Sequence, residues 1–214
     1  RGPLAGGGAR TRRAGVVNAD SLATWFPAAL ARLPRGFELS FDIRQDDQDH
    51  TAELLRDGVV TAAVTAQREA VQGCRVRRLG AMRYRALATP EFAAAHFADG
   101  LTPAALAGAP VVVFDRKDRL QHRFIRTVTG RTLDPPVHYV PSVPAFSEVI
   151  RLGLGWGLVP EQIAEDDLAS GRCVDIAPGR QADVPLHWQH WRLESAALTA
   201  LTAAVREVAA GALR

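Results

Sequence analysis

The sequence predicts an α/β fold of two lobes, with mostly parallel sheets flanked by helices. Runs that read as strands alternate with runs of helical spacing in the order βαβαβ, which argues for parallel strands joined by helical crossovers. The same alternation returns in the middle of the chain. With 214 residues, the chain can bury roughly 70% of its unfolded surface and form one large domain or two lobes of about 100 residues.

The first strand is "AGVV" (Ala14 to Val17), interrupted by Asn-Ala-Asp-Ser. Leu22, Trp25, Phe26, Ala29, Leu30 and Leu33 then recur at helical spacing, with Asp20 or Ser21 placed to cap that helix. "FELSFDIR" alternates Phe37, Leu39, Phe41 and Ile43 with polar neighbours, a strand of period two. The acidic run "RQDDQDH" leads into a short helix ending at Gly58, and "VVTAAVT" is a third strand buried on both faces. Further on, "ALATPEFAAAHF" predicts a strand then a helix, and "PVVVFDR" (Pro110 to Arg116) a buried strand. "VHYVPSVPAFSEVIRLGLGWGLVPEQIAE" reads as strand, Pro-Ser-Val-Pro break, helix, glycine turn and strand. "LHWQHW" is a last strand, followed by an amphipathic helix with Leu198, Leu201, Val205 and Val208 on one face.

Hydrophobic residues make up 47% and charged residues 23% of the chain, an ordinary globular composition. The formal charge of +3 is almost wholly arginine, since Lys117 is the single lysine. The basic residues are scattered, which argues against a nucleic-acid-binding face. Their one cluster, Arg10, Arg12 and Arg13, sits in the glycine-rich leader, and residues 1–13 read as a flexible linker. Cys74 and Cys173 have no paired spacing and read as free thiols in a reducing compartment. There is no signal segment and no apolar run long enough to span a membrane, which predicts a cytoplasmic protein.

In open α/β sheets, ligands bind at the carboxyl ends of the strands. "NADS" and "DDQD" both follow a strand and head a helix, and Ser142 repeats the placement of Ser21. Other chemistries fail on spacing. Taken from Asp47, "DQDHTAELLRDG" has Ala52 and Gly58 where an EF-hand needs glycine and glutamate. His187 and His190 are three apart on a strand, face opposite sides and cannot chelate one metal together, so they read as interfacial or packing residues beside Trp188 and Trp191. "GLGWG" precedes a strand and lacks the dinucleotide-loop pattern, and no GxSxG supports a hydrolase.

"VVNADSLATWFPAAL", "DDQDHTAELLRDGVVTAAVT", "GCRVRRLGAMRYRALATPEF", "VVVFDRKD" and "GLGWGLVP" occur in this order at matching spacings. From about Arg13 onward the chain closely resembles the effector-binding domain of LysR-type transcriptional regulators, within their arginine/lysine-export regulator branch. "NADSLATW" and "QDH" followed by "LL" carry the branch resemblance, while "GLGWGLVP" is general to the family.

The resemblance implies two Rossmann-like lobes joined by two crossover strands, a type 2 periplasmic-binding-protein-like fold. Lobe I would comprise residues 14–82 and 189–214, and lobe II residues 83–188, with crossovers near Ala81–Tyr84 and Leu186–Trp188. The family's N-terminal winged helix-turn-helix is absent from this chain, so operator DNA would be reached only through that missing domain. A homodimer or homotetramer is implied, with Trp25 and Phe26 or the edge near "ELSFDIR" as candidate contacts, the competing reading being burial of these residues in the chain's own core.

The implied effector is lysine or arginine held in the cleft between lobes, controlling transcription of an amino-acid exporter. Ser21 matches the hydroxyl that meets the α-carboxylate, helped by helix-head N–H groups. Enclosing the side-chain cation without a partner would cost several kcal/mol, so a carboxylate must meet it. Asp46, Asp47 and Asp49 are candidates, with Asp47 aligning best, and Asp20 and Asp115 are further options. Thr65 and Ser142 would complete the polar lining, and Arg116 would oppose a carboxylate or form an exposed salt bridge. No catalysis, metal or cofactor is expected. The alternative is a solute-binding protein of a transport system, which has the same two-lobe fold.

Overall fold

The computed structural model describes residues 11–35, 39–45 and 48–214. The leader residues 1–10, Phe37, and Asp46 and Asp47 of the acidic run lie outside the described residues. The chain forms two compact units, Arg1–Ala81 with Pro185–Arg214, and Met82–Val184.

The first unit opens with β1 (Thr11–Val17), three residues longer than the apolar run. Thr11–Arg13, assigned to the linker by composition, form the parallel register Thr11↔Leu39 to Arg13↔Phe41 with the next strand. Ladder hydrogen bonds come from the backbone, so a polar sequence does not end a strand. α1 (Ala19–Ala23) and α2 (Phe26–Ala31) replace the single helix that the spacing predicts. The break has a cause in Pro27, which cannot donate to the carbonyl of Ala23 and whose ring would collide with it. Thr24 closes α1 by donating its hydroxyl to the Asp20 carbonyl at 2.6 Å.

β2 (Leu39–Arg44) is followed by α3 (Gln48–Arg56), which starts inside the acidic run. Gly58 has a φ of +69°, the left-handed turn that glycine allows after a helix. β3 (Ala62–Thr65) is buried at every residue. β1 lies between β2 and β3, parallel to both. Val16, Leu54, Leu55, Val60, Ala63, Val71 and Cys74 form the core on the α3 face.

β4 (Cys74–Ala88) carries the chain into the second unit, crossing between Ala81 and Met82. α4 (Pro90–His96) and α5 (Pro103–Gly108) both begin at Thr-Pro. In each, the threonine Oγ1 accepts a backbone N–H three residues on, from Phe92 at 3.2 Å and Ala105 at 3.1 Å. Proline loses nothing at the first helical position, because that N–H has no intrahelical partner. β5 (Val111–Val113), α6 (Leu120–Thr129), β6 (Val137–Tyr139), α7 (Val143–Arg151), β7 (Gly157–Pro160), α8 (Glu161–Ala169) and β8 (Val174–Asp175) follow. Trp156 is fully buried here, with Phe97 and Phe124 ring centroids at 6.4 and 6.0 Å.

β9 (Ala182–Trp191) returns the chain to the first unit between Val184 and Pro185. α9 (Ala196–Ala212) then packs against α2, burying Leu198, Leu201 and Val205. Trp25 and Phe26, considered as dimer contacts, are 4% and 2% exposed and belong to the core. Their apolar area is already withdrawn from water, so they leave no face for a second subunit.

The sheets are more mixed than the βαβ pattern predicts. β1–β2, β1–β3 and β5–β6 are parallel, but β9 runs antiparallel to β3, and β7 and β8 run antiparallel to β4. The antiparallel pairs all involve β4 or β9, the long strands that change unit.

Gly73 has a φ of +85°, and a Cβ there would stand 2.8 Å from Cζ3 of Trp191. The Trp191 indole cannot yield, because its Nε1 donates to the Leu55 carbonyl at 2.9 Å. Gly73→Ala therefore loses about 1–3 kcal/mol of stability through backbone strain and overpacking, read as a lower urea midpoint with an unchanged slope. Cys74 and Cys173 are free, buried thiols. Burial raises the Cys74 pKa, and burial with the nearby Asp167 charge pushes Cys173 up to about 11, so both are poor nucleophiles. Among the described residues, no helix is long and apolar enough to cross a membrane.

Candidate functional site

In the first unit, β2, β1 and β3 run parallel, with Val16 opposite Arg44 and Val17 opposite Val64. The segments after Val17, Arg44 and Thr65 therefore leave the sheet at one edge. That edge gathers Asn18, Asp20 and Ser21 after the first strand, Gln45 after the second, and Thr65 at the end of the third. Parallel strands place their carboxyl ends together, which is why candidates scattered through 48 residues of sequence meet here.

Ser21 does not cap its helix. It is the third residue of α1, fully buried, and its Oγ accepts the indole N–H of Trp25 at 3.1 Å. The capping position belongs to Asn18, whose side chain makes no capping bond and whose Oδ1 is buried without a hydrogen-bond partner. α1 has five residues, so few peptide dipoles sum behind its N-terminus. Asp20 is half-buried in the first turn of α1. Thr65 is 3% exposed, and its Oγ1 accepts the Gln67 N–H at 3.1 Å. Asp49 is the second residue of α3.

His187 faces Thr65 across the antiparallel β3–β9 pair. It is 7% exposed, with Nδ1 buried and unpartnered. Burial lowers its pKa, and the positive charges of Arg78 and Arg68 lower it further, against an opposing effect of Glu69. The imidazole is therefore neutral at neutral pH. The sequence suggests only an interfacial or packing role for it, because nothing in the sequence shows that Thr65 lies opposite it. The other strand residue of that reading, His190, has its ring 6.3 Å from Trp188.

In the second unit, the parallel pair β5–β6 brings the segments after Val113 and Tyr139 to one edge. Asp115 accepts the backbone N–H groups of Lys117 and Asp118 on Oδ1 at 2.8 and 2.9 Å. Asp118 accepts those of Phe114 and Leu120 at 3.3 and 2.8 Å. The two carboxylates knit the turn that starts α6. The Arg116 guanidinium lies over the Tyr139 ring, 4.7 Å from the centroid. Ser142 heads α7 as predicted and is exposed. Its side chain caps nothing, and Pro144 at the second helical position has no N–H to offer it. Among the described residues, no group of three or more His, Cys, Asp or Glu side chains could hold a metal ion.

Two α/β units, each gathering polar side chains at the carboxyl ends of parallel strands, define a binding domain of the type 2 periplasmic-binding-protein fold. The sequence pattern of the LysR substrate binding domain matches residues 10–210. The chain belongs to that family. It is 44% identical over 205 residues to the HTH-type transcriptional regulator LysG of Mycobacterium bovis, covering 96% of this chain and 66% of the relative's length. It is 43% identical over 200 residues to the lysine export transcriptional regulatory protein LysG of Corynebacterium efficiens, covering 93% of this chain and 68% of that protein. The chain thus spans about two thirds of the length of the regulators it matches. Among solved structures it superposes on full-length LysG from Corynebacterium glutamicum with bound effector arginine, at a TM-score of 0.84 and 39% identity, over 96% of this chain and 70% of that one. These relatives carry the names of regulators, not of enzymes.

Proposed function

We propose that this chain is the effector-sensing domain of a LysR-type transcriptional regulator that binds lysine or arginine in the cytoplasm. Occupancy would control transcription of an amino-acid exporter. The observation that carries this reading is the likeness to the arginine-bound regulator over nearly the whole chain. Binding to operator DNA belongs to a winged helix-turn-helix outside this chain, and the working assembly is a homodimer or homotetramer.

The effector's long cationic stem needs a carboxylate at its far end. Asp46 and Asp47, in the sequence run that follows β2, are the carboxylates assigned to it, with Asp20 as a further one and Ser21 and Thr65 as polar lining. Asp115 and Ser142 play the corresponding part in the second unit. Asp115 has one carboxylate oxygen engaged by backbone N–H groups, which leaves it a weaker candidate than Asp47.

A panel of the twenty amino acids in a thermal melt tests the assignment. Ligand at 100 times its Kd adds about 2.7 kcal/mol to the folded state. At roughly 2–4 °C per kcal/mol for this chain length, lysine or arginine raises the melting midpoint by about 5–10 °C. A rise with a neutral or acidic amino acid and none with either basic one refutes the effector class.

A further inference from the structure

Among the described residues of the first unit, two buried side-chain polar atoms have no hydrogen-bond partner, Oδ1 of Asn18 and Nδ1 of His187. They stand on either side of Thr65 in one row across the sheet. Val17 pairs with Val64, so Asn18 comes level with Thr65, and Thr65 pairs with His187. The backbone of Asn18 is extended, with φ −61° and ψ 150°, so side-chain alternation continues past the last residue of β1. Val16 and Ala63 both point into the α3-side core, and two residues further on Asn18 and Thr65 point to that same face. His187 shares the face with its pair partner Thr65. Three adjacent strands span about 10 Å, which suits the width of an amino-acid head group with a hydrogen-bonding side chain at each end.

We propose that Asn18 and His187 hold the head group of an α-amino acid, His187 donating from Nδ1 to its α-carboxylate and Asn18 accepting from its α-ammonium on Oδ1. The positive charges of Arg68 and Arg78 act on His187, which places the carboxylate rather than the ammonium at that end. A neutral imidazole in the Nδ1–H form has the required proton to donate. Both atoms are desolvated already, so ligand contacts replace missing hydrogen bonds rather than displacing good ones. This inference rests on the proposed reading of the chain as an amino-acid sensor and adds where the head group sits. Ser21, whose hydroxyl already accepts from Trp25, is then a supporting residue rather than the carboxylate's main partner.

The test is calorimetric titration of this chain with L-arginine and with agmatine, which is arginine without its carboxylate. His187→Leu should weaken arginine roughly ten- to hundredfold and leave agmatine unchanged. His187→Gln, which restores an N–H donor at similar size, should recover most of the arginine affinity. Asn18→Leu should weaken arginine and agmatine alike. If His187→Leu weakens both ligands equally, or if neither leucine variant changes either affinity because buried water satisfies the two atoms, the head-group assignment is overturned. Should the wild-type chain bind a neutral amino acid instead, the same comparison runs on that amino acid and its decarboxylated amine. In that case the basic-effector reading fails while the head-group inference is still decided. Binding of no amino acid at all sinks both.

Discussion

Asp167→Ala lowers stability by about 3 kcal/mol, the largest loss expected for a single substitution at an ion pair among the described residues. Asp167 is 2% exposed on α8, and Arg151 Nε approaches its two oxygens at 2.9 and 3.0 Å. Arg172 Nε adds a contact at 3.1 Å. The Arg151 guanidinium has its pKa raised chiefly by the hydrogen bond to Asp167. Removing the carboxylate leaves Arg151 with its longer 3.4 Å contact to Glu148 and leaves the two cations facing each other, one side chain 27% exposed and the other 58%. That partial contact with water holds the loss near the low end of the range for a broken buried pair. Asp167→Asn keeps the shape and one acceptor and should lose less. Urea unfolding measures both variants. A loss under about 1 kcal/mol for the alanine variant would rank the cluster with ordinary surface pairs.

On the proposed reading, in which Asp47 meets the effector's side-chain cation, Asp47→Asn should weaken lysine binding by about 2 kcal/mol or more, roughly thirtyfold. Norleucine, which has the same stem and no ammonium, should lose less than about twofold, the variation expected when no partner is removed. Titration of both ligands against wild type, Asp47→Asn and Asp46→Asn reads the difference. Equal losses for lysine and norleucine would show that Asp47 is not the cation's partner. A selective lysine loss in Asp46→Asn alone would move that role one residue back.

Punctuation and period make much of the architecture legible. The apolar run "VVV" after Pro110 is a strand buried at every residue, and Leu198, Leu201 and Val205 mark the buried face of α9. The glycine at 58, with its positive φ, closes α3 as its position after the helix suggests. α5, α6, α8 and β8 lie outside the elements read from the sequence, although Thr102-Pro103 is a capping signature of the same form as Thr89-Pro90. The split between α1 and α2 is readable from Pro27 alone, and the apolar spacing conceals it. Ser21 stands at a strand end as the sequence predicts, yet its partner Trp25 sits four residues on. That is a helical spacing visible in the sequence, which the capping reading passes over.

The sequence by itself determined most of the succession of strands and helices, the strand-end placement of Ser21 and Ser142, and the family. Those properties follow from local steric rules and from residues close together along the chain. Only the tertiary structure decided that Asp167 is enclosed by two arginines, that Arg116 covers Tyr139, and that His187 stands opposite Thr65. Each of those contacts joins residues brought together by strand pairing or helix packing, and no periodicity records which strands become neighbours. The partnerless state of Asn18 and His187 is of the same kind, since it depends on what the whole fold excludes from water.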